Sequence, residues 1–138
     1  MKSITTFLAI AMMAIACEKS PMINEQGVVA AASAKSSGLV GTWYLLQYYQ
    51  DNGTGNGQWV TPDFVETLMF GSEGEFSATM TFPLAGYGYT SFLVKDNAIV
   101  FFPSKTNDNA YQYVLESPTQ LLFFPRCREN CARRYVLR

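Results

Sequence analysis

The stretch Glu75 to Phe82 reads EFSATMTF, with Phe76, Ala78, Met80 and Phe82 on one face and Ser77, Thr79 and Thr81 on the other. A period of two keeps one face apolar only if the chain is extended, so this segment specifies a strand with one side buried. Comparable segments recur along the chain. They are Leu39 to Gln50, Gln58 to Phe70 (its start blurred by Pro62), Glu75 to Phe82, Tyr89 to Lys95, Ala98 to Phe102, Ala110 to Glu116, Thr119 to Cys127, and Cys131 to Leu137. Eight strands with short connections predict an all-β fold, a small eight-stranded antiparallel up-and-down barrel. Closing such a meander removes its exposed edges, which an open β-sandwich, the competing architecture, would keep. Ten Phe, eight Tyr and two Trp suit such a fold, because aromatic rings pack well on a pleated, half-buried surface.

Turn chemistry sets the registers. A three-residue loop Ser72-Glu73-Gly74 pairs Phe70 with Phe76 and Leu68 with Ala78, and it aims the Glu66 carboxylate at the interior. A two-residue Asp96-Asn97 turn pairs Val94 with Ile99 and Phe92 with Phe101. In the last hairpin the expected pairs are Phe123 with Tyr135 and Leu121 with Leu137. Both faces are apolar there, so alternation leaves open which one points inward.

Ahead of the strands lie two segments of different character. Residues 1–16 read as a signal peptide, with Lys2 in the n-region and Phe7 to Ala16 as an unbroken apolar run of ten. A membrane-spanning helix needs roughly 20 such residues, so this run is too short to cross. Ala14-Ile15-Ala16-Cys17 resembles the lipobox of bacterial lipoproteins, in which the cysteine is acylated after cleavage. That resemblance implies a lipid anchor at Cys17. Residues 17–38 then form an Ala-, Ser- and Gly-rich flexible linker, and 39–138 the barrel domain.

The remaining cysteines, Cys127 and Cys131, would meet an oxidising compartment after export. A turn at Arg128-Glu129-Asn130 would bring them to bridging distance as a structural disulfide. The Cys-x-x-x-Cys spacing is not that of a redox pair, and a tetrahedral zinc would lack two ligands. The chain has no His, which removes the commonest general base and the commonest metal ligand. Scattered carboxylates and the lack of a phosphate-binding glycine loop further disfavour catalysis, and no cofactor is expected. Net charge is only −1, so nothing recruits nucleic acid. All five arginines nevertheless fall late, at Arg126, Arg128, Arg133, Arg134 and Arg138. They suit either an anionic partner or a solvated outer face.

Gly41-Thr42-Trp43 resembles the Gly-x-Trp signature of lipocalins, a family in which the tryptophan plugs the closed end of the barrel. Thr67 to Phe70 followed by Gly71 to Phe76 is similar to bacterial lipocalin-like domains, where a strand ending in Phe meets an acidic-Gly turn. The likeness covers roughly residues 39 to 137. Thr106 to Tyr111 only echoes the family's Thr-Asp-Tyr motif, and its C-terminal helix has no counterpart. A late arginine packs over the tryptophan in that family, and Arg133, Arg134 or Arg138 would match it.

The expected interior comprises Trp43, Leu45, Gln47, Glu66, Phe70, Phe76, Met80, Phe92, Phe101, Tyr111, Tyr113 and Tyr135. These residues suit a packed core or a pocket for a small hydrophobic ligand, with Gln47, Glu66 and tyrosine hydroxyls as polar handles. The loops Asp51 to Gly57 and Pro83 to Tyr89 are expected to rim the mouth. The functional expectation is thus an envelope lipoprotein, on the outer membrane and facing the periplasm or the cell surface, that binds a small hydrophobic ligand. The alternative is a filled barrel serving as a surface protein-binding or inhibitor module for an envelope protein partner.

Overall fold

A computed structural model of the chain describes residues 30, 32–35, 37–51, 53–79, 81–103, 109–126 and 131–138. They form an almost entirely β structure. The strands are β1 (Gly41–Gln50), β2 (Gln58–Val60), β3 (Thr67–Phe70), β4 (Phe76–Ala78), β5 (Ser91–Lys95), β6 (Ala98–Phe102), β7 (Ala110–Ser117), β8 (Gln120–Phe123) and β9 (Arg133–Leu137). All pairs are antiparallel, and eight strands follow one another around the wall as β4-β3-β1-β9-β8-β7-β6-β5. An isolated bridge between Glu75 and Ser91 joins the two ends of that path, so the barrel is nearly closed. The expected architecture is the observed one.

The expected second strand is two. Gln58–Val60 pairs with the upper half of β1, Tyr49 opposite Trp59, while Thr67–Phe70 pairs with its lower half, Trp43 opposite Leu68. Pro62, which lacks the N–H a ladder needs, lies in the break. The expected registers Phe70–Phe76 and Leu68–Ala78 are observed, as are Val94–Ile99 and Phe92–Phe101. Asp96 and Asn97 both take positive φ, 51° and 58°, as a hairpin turn matched to strand twist requires.

The last hairpin departs from expectation. Leu121 lies opposite Tyr135 and Phe123 opposite Arg133, a slip of two residues, because the strands stop at Phe123 and Arg133 instead of running on to a three-residue loop. A slip of two preserves the faces. Leu121, Phe123 and Tyr135 are fully buried, which identifies the inward side that alternation left open.

The strand directions give the barrel two unlike ends. At one end the connections are the tight turns at Ser72 to Gly74, Asp96-Asn97 and Pro118-Thr119. The long connections gather at the other. Trp43 plugs the tight-turn end, fully buried, its indole N–H donating to the Leu39 carbonyl at 2.6 Å. The described part of the linker does not hang free of this end: residues 32–35 are helical, and Ala34 and Leu39 are fully buried.

Candidate functional site

Most of the expected interior residues do converge. Trp43, Glu66, Phe70, Phe76, Phe92, Phe101, Tyr111 and Tyr135 are buried, and Leu45 and Tyr113 pack against them partly covered. Met80 falls outside the described residues. Inward-facing aromatics on neighbouring strands meet because alternate residues of each strand share the inner face. At the centre the Phe101 ring lies 4.5 Å from Phe76, 5.2 Å from Tyr89, 5.6 Å from Tyr111, 6.4 Å from Phe123 and 6.5 Å from Phe70, centroid to centroid. Rings so spaced pack against one another across the middle of the small barrel.

Sequence reasoning missed several of these groups. Leu84 and Tyr89 belong to the connection Pro83 to Tyr89, which was expected to rim the mouth, yet both are buried; Phe82, expected on the inner face, is buried as alternation implies. Phe82 stands 6.2 Å from Phe76 and 5.6 Å from Phe123, so this connection folds inward as a stopper.

Gln47 is not inside. A bulge between Leu45 and Gln47 shifts the register of β1 against β9, so Leu45 stays opposite inward Tyr135 while Gln47 comes opposite Arg134. An extra residue reverses the faces beyond it. The Gln47 Oε1 accepts from Arg134 Nη1 at 3.0 Å on the outer wall, and Arg134 also clamps Glu116 through Nε at 2.9 Å and Nη2 at 3.2 Å. The same guanidinium lies 4.4 Å from the Trp59 ring centroid, whose other neighbour is the Tyr49 ring at 5.6 Å, nearly edge-on.

Opposite this outer network, Glu66 is the one buried charged residue among the described residues. Glu66 is 1% exposed; its Oε1 accepts from the Tyr135 hydroxyl and its Oε2 from Arg133 Nη1, each at 2.5 Å. Burial pushes the Glu66 carboxyl above its ordinary range, against the Tyr135 hydrogen bond and the Arg133 charge, which pull it down. Burial also drives the Tyr135 phenol well above 10, with the Glu66 charge and hydrogen bond adding to the effect. Arg133 continues toward the mouth, 5.8 Å over the Tyr48 ring.

At the mouth end the surface opens. A groove of about 730 Å³ runs along Tyr49, Trp59, Tyr111, Phe124 and Arg126. Beside it lies a hollow of about 300 Å³ lined by Tyr48, Asp51, Pro83, Pro125, Arg126 and Arg133. The Arg126 guanidinium sits 5.5 Å over the Tyr111 ring and donates to the Ala110 carbonyl at 2.9 Å. Cys131 lines both hollows; Cys127 and Cys17 lie outside the described residues. Of the late arginines, Arg133, Arg134 and Arg138 cover Tyr48, Trp59 and Tyr44 respectively. None of these rings is the Trp43 that the lipocalin resemblance would pair with an arginine. Among the described residues, no three His, Cys, Asp or Glu side chains group as a metal site.

Comparison with models of protein families, with curated proteins and with solved structures finds no match.

Proposed function

We propose that this chain is a lipid-anchored, non-catalytic module of the bacterial cell envelope that binds an envelope protein partner through the open rim of a filled barrel. The observation that carries this reading is the Phe101 ring in contact with five other aromatic rings, which leaves the interior occupied by the protein's own side chains. The rim, by contrast, offers aromatic faces and arginines at strand ends and on the connection after β8, the composition that recognition surfaces favour. The apolar run before Cys17 supports export and acylation, and the short Cys127–Cys131 segment supports a disulfide steadying the rim hairpin. The outer membrane is the proposed location.

One feature favours the small-ligand reading as a second possibility. The 300 Å³ hollow is at the lower limit for a small-molecule site, and Arg133 links it to the buried Glu66. Two measurements separate the readings. Titration with a fluorescent fatty-acid analogue, with native mass spectrometry of the purified protein, should show no saturable uptake; saturable binding that Phe101→Ala enlarges would restore the interior ligand. A photo-crosslinking residue at Trp59 should capture one defined envelope protein that the same residue at Met69, exposed on β3 near the tight-turn end, does not capture. Identical products from both positions would sink the rim as the binding surface.

A further inference from the structure

The wall has one weak seam. Strands β4 and β5 meet only at the Glu75–Ser91 bridge, supported by the Phe76 amide donating to Thr90 and the Phe92 amide to Gly74, each at 2.8 Å. On β5 every second amide faces the same neighbour, so the next one aimed at the seam belongs to Val94. By then the partner strand has already turned away at Gly74, which takes a φ of 90°. A buried backbone N–H requires an acceptor. The linker supplies it: the Val94 amide donates to the Ser33 hydroxyl at 3.1 Å.

The rest of the segment is fitted to the same place. Ser33 Oγ donates back to the Ala30 carbonyl at 3.0 Å, and Ser37 Oγ to the Ala34 carbonyl at 2.8 Å while accepting from the Leu39 amide at 3.2 Å. Ala34 and Leu39 are fully buried. Ala30 approaches Gly74 so closely that a Cβ there would meet it at 2.9 Å, and the Lys35 ammonium pairs with Glu73 at 3.0 Å across the neighbouring turn. One hydroxyl, two apolar seats and an ion pair dock one stretch onto the seam and the tight-turn end, with Ser37 bracing the stretch internally.

We infer that the described residues 30, 32–35, 37 and 38 form a built-in plug that completes the barrel and holds its tight-turn end toward the anchoring bilayer, with the rim outward. The orientation rests on the lipid anchor proposed above; the plug does not. Glu18 to Gly38, twenty-one residues, would reach roughly 70 Å if all were free, enough to present either end. Docking leaves Glu18 to Val29, twelve residues with a reach of roughly 40 Å at full stretch, attached at the tight-turn end. The wall itself is about 30 Å long, from the ten residues of β1. Turning the rim to the membrane would therefore use about three-quarters of the tether's full reach, against its chain entropy.

The acylated full-length protein in phosphatidylethanolamine–phosphatidylglycerol vesicles tests both parts. Thr119→Cys at the tight-turn end and Asn56→Cys at the rim, each carrying a bimane label, report proximity to a spin label on the lipid headgroup. Quenching at residue 119 should exceed that at residue 56 at least threefold. Equal or reversed quenching in protein that floats with the vesicles overturns the orientation alone, whereas protein that fails to float overturns the anchor and the orientation together. The plug is read separately by amide exchange. Ser33→Ala should speed exchange at Val94 at least tenfold and leave Phe92, bonded to Gly74, unchanged; an unaltered Val94 rate overturns the plug.

Discussion

The two ends of this barrel are built from the same strands and obey different rules. At the tight-turn end, loops of two and three residues bring strands together directly, and Trp43, Leu68 and Leu39 close the floor with no exposed surface of their own. At the rim, the connections after β1, β4 and β8 are long, and aromatic side chains on and beside the strand ends are only partly covered: Tyr48, Tyr49 and Trp59 are intermediate in exposure and Phe124 is 36% exposed. The closed end is specified by burial, which tolerates little change. Side chains at the rim are oriented instead by arginines, through stacking and hydrogen bonds that operate beside water. Stability and recognition are thus separated along the barrel axis, as expected where a rigid scaffold carries variable loops.

The sharpest test of that contrast compares two tryptophans. Trp43→Ala should cost about 3–5 kcal/mol, because removing a fully buried indole leaves a cavity in a floor whose strands cannot collapse inward. Trp59→Ala, on a three-residue strand at the rim, should cost about 1 kcal/mol or less and keep the barrel folded. Urea unfolding midpoints measure both. Equal costs would mean that the rim is part of the core and the division is false.

Nearly as large an effect is expected at the buried Glu66. Glu66→Ala strands Arg133 and the Tyr135 hydroxyl without their partner and should cost about 3–5 kcal/mol. The paired replacement Glu66→Leu with Arg133→Met should recover most of that loss, since a well-packed apolar pair can match a buried ion pair. A double variant as unstable as Glu66→Ala would show that the pair does more than satisfy itself.

Alkaline pH gives a third comparison. Tyr111, Tyr113 and Tyr135 all have phenols raised above 10 by burial. A raised folded pKa contributes fully below the unfolded value and is lost as pH climbs past it, because the unfolded chain ionises first. Stability should therefore hold to about pH 10 and decline above it. Tyr135→Phe should flatten that decline when unfolding is followed from pH 8 to 11, although the variant starts lower for want of the Glu66 hydrogen bond. A slope identical to that of the parent chain would remove Tyr135 from the account. Glu66 has the same sign at the acid side: its contribution is full below its ordinary carboxylate range and fades as pH rises through the raised folded value.

How far these features could be read from the sequence depended on how local their causes are. Hairpins closed by Ser72 to Gly74 and by Asp96-Asn97 follow from turn residues beside clean alternation, and their registers come out correctly. Glu66 is inward for the same reason, two residues from Leu68. Gln47 went wrong because a bulge reverses the alternation that placed it, and nothing in YLLQYY marks the extra residue. The last hairpin slipped because its turn was assigned from cysteine spacing. The burial of Leu84 and Tyr89 and the docking of residues 32–35 escaped because each depends on tertiary vacancies, an open barrel and an unpaired seam, that exist only once the strands have assembled. The rim groove is of the same kind, assembled from β1, β2, β7 and the segments flanking β8 and β9.

The smallest expected effect concerns the outer wall, where Arg134 joins Glu116, Gln47 and Trp59. Its guanidinium is 25% exposed and the Glu116 side chain 29%, and the pair is bidentate. Partial burial and doubled hydrogen bonds place it at the upper end for a surface ion pair, about 1 kcal/mol, and screening by salt should weaken it. A double-mutant cycle with Arg134→Met and Glu116→Gln measures that coupling in low and high salt. The stack on Trp59 is a different interaction and should survive in Glu116→Gln, so near-ultraviolet circular dichroism from the indole should change in Arg134→Met and not in Glu116→Gln. If both variants disturb the indole equally, Trp59 is held by the ion pair as a unit, and the rim is more tightly bound to the wall than its exposure implies.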